Sequence, residues 1–319
     1  TGTSNNVITS PDGITWTLRT NVPTNIVLGW YGVCWSSSLN LFVAVGYGNA
    51  SLTHRVMTSS DGITWTLRKA GVYNCNWSAI CWSPELNIFV AISNSGFMST
   101  MYSYNGIDWY PPSNFIYGTG SNLAFTSICW SPELNLFAAV SADRIIISSD
   151  GINWLDYMMQ NAITFNTICW SSKLKKFVAL SANATNVFIS SNGINWTTSG
   201  LPTGVANWVS IAWSDDLNLF AAIAQSFSNN NCIITSPDGI TWTPVVLSLS
   251  IFSAAGFGVT WNGIRWVAVG RGTNTIAYSS NGISWIGLGA TVFTSDGYGI
   301  TSNYNSPAIV YIQQPIIAL

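Results

Sequence analysis

Ser10-Pro11-Asp12-Gly13-Ile14-Thr15-Trp16 is a phrase that the chain repeats: Ser, any residue, Asp or Asn, Gly, Ile, any residue, Trp. Further copies occupy 59–65, 103–109, 148–154, 190–196, 236–242 and 279–285, at a spacing of about 42 to 49 residues. That is the length of one four-stranded propeller blade. Asp-Gly or Asn-Gly supplies the positive φ angles of a tight hairpin turn, so each copy marks a turn between two antiparallel strands.

A second phrase alternates with the first. An apolar pair and Trp lead into Ser-x-x-Leu-Asn and then an apolar run, as from Val33-Cys34-Trp35 to Val45, from Ile80 to Ile92 and from Ile128 to Val140. It returns at 168–180 and 211–223, in shortened form at 259–269 and as a remnant at 300–312. The β-branched and aromatic runs are short and bounded by turn residues, which predicts four antiparallel strands per unit and no helix. The expected fold is therefore all-β, a seven-bladed β-propeller of four-stranded antiparallel blades filling one domain, 1–319. Residues 1–6 are expected to be a short flexible lead and 313–319 an apolar tail.

The ends support ring closure. Residues 7 to 18 supply third and fourth strands, whereas 300 to 312 supply first and second strands, so together they complete one blade. Clasping the termini in one sheet protects its edges and resists opening of the ring.

With 48% hydrophobic residues the chain can bury a large core, and no apolar stretch approaches the roughly 20 residues of a membrane span. Charged residues make up 7% and the net charge is −2, so no basic stripe is present to neutralise a phosphate backbone, and neither nucleic acid nor membrane insertion is expected. A surface of Ser, Thr, Asn and Gly, with glycosylation sequons at Asn49, Asn76, Asn183 and Asn195, points to the exterior of a cell or a virion. The chain begins at Thr1 without Met, which reads as a processed product. Cys34, Cys81, Cys129 and Cys169 share one repeat position with Ala212, Thr260 and Thr301, which predicts small core residues and no disulfides. Cys75 and Cys232 fall in loops and read as free thiols.

Between the third and fourth strands, Ser-x-Asp-Gly-x-Thr-Trp resembles the Asp-box of the sialidase-like (BNR repeat) propellers, though it lacks the residue usually found between the Asp and the Gly. In that family the box is structural, and the resemblance implies the same here. The residues agree, because Asn105, Asn192 and Asn281 replace Asp12, Asp61, Asp150 and Asp238 at the same position, keeping the acceptor and losing the charge. A sialidase would need converging arginines, yet Arg19, Arg55, Arg68, Arg144, Arg265 and Arg271 are scattered among the repeats. Of these, Arg55, Arg144 and Arg271 fall on one face. His54 is the one histidine and has no neighbour at ligand spacing. No catalytic residue, metal or cofactor is expected, and the chain reads as a non-enzyme.

Function is sought in what the repeats do not share. The connections from second to third strand and from fourth to first vary in length, and both emerge on one face, where recognition usually lives. On that face an aromatic marks the entry to every inner strand: Trp30, Trp77, Phe125, Phe165 and Trp208 at one position, Phe257 and Tyr298 one residue later. They are either wedges between blades or a collar at the channel mouth. With Asn, Ser and Thr around it, a collar would suit sugars, whose C–H faces stack on rings. The expected function is a binding module for a glycan or a surface protein. The alternative is a structural or docking subunit of a virion, fibre or filament that self-associates through its C-terminal tail.

Overall fold

The computed structural model describes residues 7–20, 22–23, 29–48, 54–71, 75–95, 98–114, 124–158, 165–182, 185–202, 205–227, 232–245, 251–290, 297–303 and 306–313, without side-chain description for 205–206, 226–227, 297–298 and 303–313. Every element is an antiparallel strand. Sheet I comprises Gly29–Ser36, Leu41–Tyr47, His54–Ser59 and Thr66–Lys69. Sheet II comprises Asn76–Ser83, Ile88–Ser95 and Thr100–Ser103. Sheet III is Phe125–Ser131, Leu136–Ser141, Arg144–Ser148 and Leu155–Met158; sheet IV is Phe165–Ser171, Lys176–Ser181, Asn186–Ser190 and Thr197–Gly200. Sheet V is Val205–Ser214, Leu219–Phe227, Ile233–Ser236 and Thr243–Pro244; sheet VI is Ala255–Trp261, Trp266–Arg271, Ile276–Ser279 and Ile286–Gly287. Sheet VII joins the two ends of the chain in the order Thr17–Arg19, Val7–Ser10, Ser306–Gln313, Gly297–Asn303.

The expectation of seven four-stranded blades is corrected: among the described residues six sheets have four strands, and sheet II has three. The cause is local. The segment after the box tryptophan of sheet II reads Tyr110-Pro111-Pro112, and proline has no N–H to offer a ladder. Pairing there shrinks to one bridge, Tyr102 with Tyr110, each amide donating to the other's carbonyl at 2.9 Å. The chain then crosses to sheet III, where the Asn114 side chain accepts from the Trp154 amide at 2.8 Å and donates to its carbonyl at 2.6 Å.

The inner strands touch one another in cyclic order, the last against the first. Closure of sheet VII is a continuous ladder, with Val7, Ile8, Thr9 and Ser10 opposite Ile312, Tyr311, Val310 and Ile309. The hydrophobic core is divided into clusters at the seams between neighbouring sheets. Val43 and Val45 of sheet I, for example, join Trp77, Ile80 and Phe89 of sheet II, and Val7 of sheet VII joins Trp30 and Phe42 of sheet I. Both faces of each sheet are thus buried, which is why the second strands read as unbroken apolar runs.

Each box is a turn clamp. In sheet I the Gly62 amide donates to Ser59 Oγ at 2.8 Å, the Ile63 and Thr64 amides donate to Asp61 Oδ1 at 2.8 Å each, and Trp65 Nε1 donates to the Gly62 carbonyl at 3.0 Å. The glycine has φ +71°, a conformation L side chains rarely adopt. Asn105 repeats the same bonds at 2.8 Å, so charge is dispensable to the turn. The Ser-x-x-Leu-Asn turns recur as faithfully. Leu39, Leu86, Leu134, Leu174 and Leu217 each donate an amide hydrogen bond to the turn serine. Asn40, Asn87, Asn135, Lys175 and Asn218 take φ between 48° and 52°. On this face Trp130, Trp170 and Trp261 donate their indole N–H to Glu85, Glu133 and Asp216 of the preceding sheet, at 2.6, 2.7 and 2.9 Å.

Candidate functional site at the channel mouth

The inner strands surround a central channel with a cavity of about 690 Å³. Near the variable-loop end every inner strand carries a β-bulge at one repeat position. In sheet I Trp30 lies opposite Gly46 and Gly32 opposite Val45, leaving Tyr31 unmatched. Register shifts at the equivalent place leave Ser78, Thr126, Asn166, Val209, Phe257 and Tyr298 unmatched. A bulge re-aims the side chain it carries and is over-represented beside functional sites. Here Tyr31, Ser78, Thr126, Val209 and Phe257 line the channel.

This places the anticipated aromatic collar one residue away from where solvent is. Trp30 and Trp208 are 0% exposed and Trp77 1%, and Phe125 and Phe165 are 0% exposed. They are wedges in the seam clusters rather than a ligand surface. Among the described residues the indole N–H groups of Trp30, Trp77 and Trp208 find no hydrogen-bond partner, so these rings are held by their apolar contacts at the cost of an unpaired donor each. Phe257 sits on the bulge itself, buried at 6% exposure at the channel wall, with the Arg271 guanidinium 5.8 Å from its ring centre. Tyr298 holds the equivalent backbone position, and its side chain lies outside the described residues. The residue after each wedge was the better candidate, and Phe257 and Tyr298, displaced by one in the repeat, were the sequence signal for it.

Around the mouth the bulged residues are segregated. Tyr31 packs against Tyr47 with ring centres 5.2 Å apart and the rings tilted by 46°, and the next position back around the ring but one is Phe257. The following three sheets present Ser78, Thr126 and Asn166. Ser78 Oγ donates to the Phe125 carbonyl at 2.6 Å, and Thr126 Oγ1 to the Phe165 carbonyl at 3.3 Å, so hydroxyls stitch the seams where no ladder can run. Asn166 Nδ2 donates to Asn207 Oδ1 at 2.7 Å, and Asn207 Nδ2 donates to Gln225 Oε1 at 3.1 Å. Gln225 reaches the channel because the second strand of sheet V has its own irregularity: Trp208 pairs with Ala224 and Asn207 with Ser226, leaving Gln225 between them.

Cys129 and Cys169 also line the channel, half-buried rather than in the core as expected. The four repeat cysteines are nonetheless closely surrounded, and desolvation pushes the Cys81 and Cys169 thiols up to about 12. Cys75 and Cys232 are buried rather than displayed on loops, with Cys232 pushed up to about 11 by the same cause. None of the six cysteines is in a disulfide. Among the described residues no group of His, Cys, Asp and Glu is arranged to hold a metal, and no helix is long and apolar enough to cross a membrane.

The arginines do not converge. Arg55 is buried and donates to the carbonyls of Gly48, at 3.1 Å, and Cys75, fastening sheet I to sheet II, while desolvation lowers its pKa. Arg144 pairs with Asp156 of its own sheet. His54 begins the third strand of sheet I, opposite Lys69.

No protein-family model matches the chain, and no curated protein matches it in sequence. Solved structures do. A streptogramin B lyase superposes with a TM-score of 0.73 at 12% identity, covering 97% of this chain and 98% of the lyase. Virginiamycin B lyase from Staphylococcus aureus follows at 0.70 and 14% identity, covering 93% and 98%. YCF48 bound to D1 peptide gives 0.65 at 14% identity, covering 92% and 93%. The likeness is one of fold. It corrects the expectation of a non-enzyme, because lyases are built on a propeller of this shape, as are peptide-bound and WD40 propellers. The chain is a propeller scaffold, and its own chemistry must be read from its own residues.

Proposed function

We propose that the chain is a binding module that recognises a glycan or another cell-surface ligand through its variable-loop face, with the ligand seated on the ring of bulged residues. The observation that carries this reading is the bulge itself. The same irregularity recurs at one position in every inner strand, and five of the residues it carries, Tyr31, Ser78, Thr126, Val209 and Phe257, line one cavity, while the box turns at the opposite end keep one sequence pattern. A rigid scaffold with a variable lining is the arrangement by which recognition diversifies without unfolding the frame. The cavity lies within the range of about 300–1,000 Å³ usual for small-ligand sites. The ligand belongs at the surface of a cell or virion, in keeping with the uncharged surface composition.

A glycan array with the wild-type chain and a Tyr31→Ala, Gln225→Ala double variant tests this. Binding by the wild type and its loss in the variant is expected. Ligands held equally by both would place recognition elsewhere.

A second reading, a docking or structural subunit of a surface assembly, is favoured by the opposite face. There the box isoleucines Ile63, Ile107, Ile194, Ile240 and Ile283 and the turn residues Leu39, Leu134, Leu217 and Ile264 are exposed. The tail 314–319, which also motivated that reading, lies outside the described residues.

A further inference from the structure

We propose that the channel mouth takes a single uncharged pyranose unit, its C–H face on the Tyr31–Tyr47 pair and its hydroxyls against the Asn166–Asn207–Gln225 relay. This rests on the reading of the chain as a binding module at this face, and it names the ligand class.

The first ground is the segregation of the lining. Aromatic residues occupy the bulge in sheets VI, VII and I, in that order around the ring, and hydroxyl or amide residues occupy it in sheets II, III and IV. A pyranose has this division in one molecule, with an apolar C–H face and a rim of hydroxyls. Aromatic side chains supply rigid contact area for the first, and amides supply paired donors and acceptors for the second. Tyr31 and Tyr47 are both half-buried, and Tyr31 lines the cavity.

The second ground is the relay. Three side-chain amides joined head to tail leave a carbonyl at one end and an NH2 at the other, whichever sense the chain of bonds runs. Asn166 Oδ1 and Gln225 Nε2 are those ends, neither is engaged by a group among the described residues, and Gln225 lines the cavity. Fixed donor and acceptor points of this kind match adjacent hydroxyls, each of which both gives and takes a hydrogen bond.

The third ground is charge. Among the described lining residues there is no Lys or Arg, and the one acidic side chain is Asp215, at the far end of the channel, held by Trp213 Nε1 at 2.6 Å and Ser172 Oγ at 2.8 Å. A carboxylate in the same cavity disfavours an anionic sugar.

The test is saturation-transfer NMR with the methyl glycosides of glucose, galactose, mannose and N-acetylglucosamine, beside N-acetylneuraminic acid and methyl glucuronide. At least one neutral glycoside is expected to bind, about tenfold more weakly to Tyr31→Ala and to Gln225→Glu than to the wild type, with Tyr31→Phe close to wild type. Unchanged melting of each variant shows that the fold is kept. If the glycan array finds ligands but all are acidic, or if neutral glycosides bind the variants as tightly as the wild type, this proposal falls and the binding-module reading stands on other residues. If the array finds no glycan at all, the sugar falls with this proposal, and a non-glycan surface ligand is what the module would have to hold.

Discussion

Val7 lies opposite Ile312, so the first described strand of the chain and the last are neighbours in one sheet. The ring is held shut by backbone hydrogen bonds between its ends, and Val7 and Ile8 are themselves buried in the two seams that flank that sheet. Removing residues 1–19 would expose the edge of Ser306–Gln313 and the apolar surface on both sides of it. The truncated chain is expected to aggregate or to melt far below the full chain in light scattering and calorimetry. A truncated monomer with unchanged melting would contradict the clasp.

The box aspartates give a pH dependence with a definite sign. In Asp12, Asp61, Asp150 and Asp238 partial burial raises the carboxyl pKa, but the amide hydrogen bonds of the turn outweigh it and leave each below the usual 3.8. A pKa lower in the folded than in the unfolded chain contributes stability that is present above about pH 4 and is lost as pH falls through the folded value. Melting temperature is therefore expected to decline on acidification below about pH 4. The decline should be shallower in a variant carrying Asn at all four positions, since Asn105, Asn192 and Asn281 already make the same turn. Parallel pH profiles for the two proteins would count against this account of the box.

The wedge tryptophans are expected to matter to stability and not to ligand choice. Trp208→Ala empties a fully buried site and should cost about 3–5 kcal/mol in denaturant unfolding, with Trp208→Phe losing less because Phe125 and Phe165 fill the equivalent seams. A loss of ligand binding in Trp208→Phe with unaltered stability would return these rings to the site.

Gly299 links closure of the ring to the site. A Cβ there would come within 2.8 Å of the Tyr31 carbonyl oxygen, tighter than real contacts allow, so Gly299→Ala must displace the strand that carries Tyr31. The expected result is a loss of about 1–3 kcal/mol together with weakened ligand binding. Wild-type stability and binding in this variant would show that the two inner strands are not in such close contact.

Much of this was legible in the sequence, for identifiable reasons. Box and turn phrases could be read because each depends on local geometry: a glycine at positive φ, a serine that accepts the amide two or three residues on, an Asn in the left-handed region. Even Lys175 adopts φ 52° where its equivalents are Asn, because the turn around it leaves no alternative. The fourth strand of sheet II was misjudged because the repeat argued for it while Pro111 and Pro112 argued against, and the missing N–H groups prevailed. The collar was misplaced because strict alternation along a strand predicts which residues share a face, and a bulge inserts one residue and turns its neighbour over. Gln225 could not have been found at all, since its direction depends on a second irregularity in the partner strand.

Thr126→Trp tests the central claim most directly. Thr126 is exposed on the bulge of sheet III at the channel mouth, so an indole there fills the opening without entering the core. If the ligand sits on the ring of bulges, this variant, folded and melting like the wild type, loses binding to every ligand the wild type holds. Full binding by the folded variant would contradict the assignment.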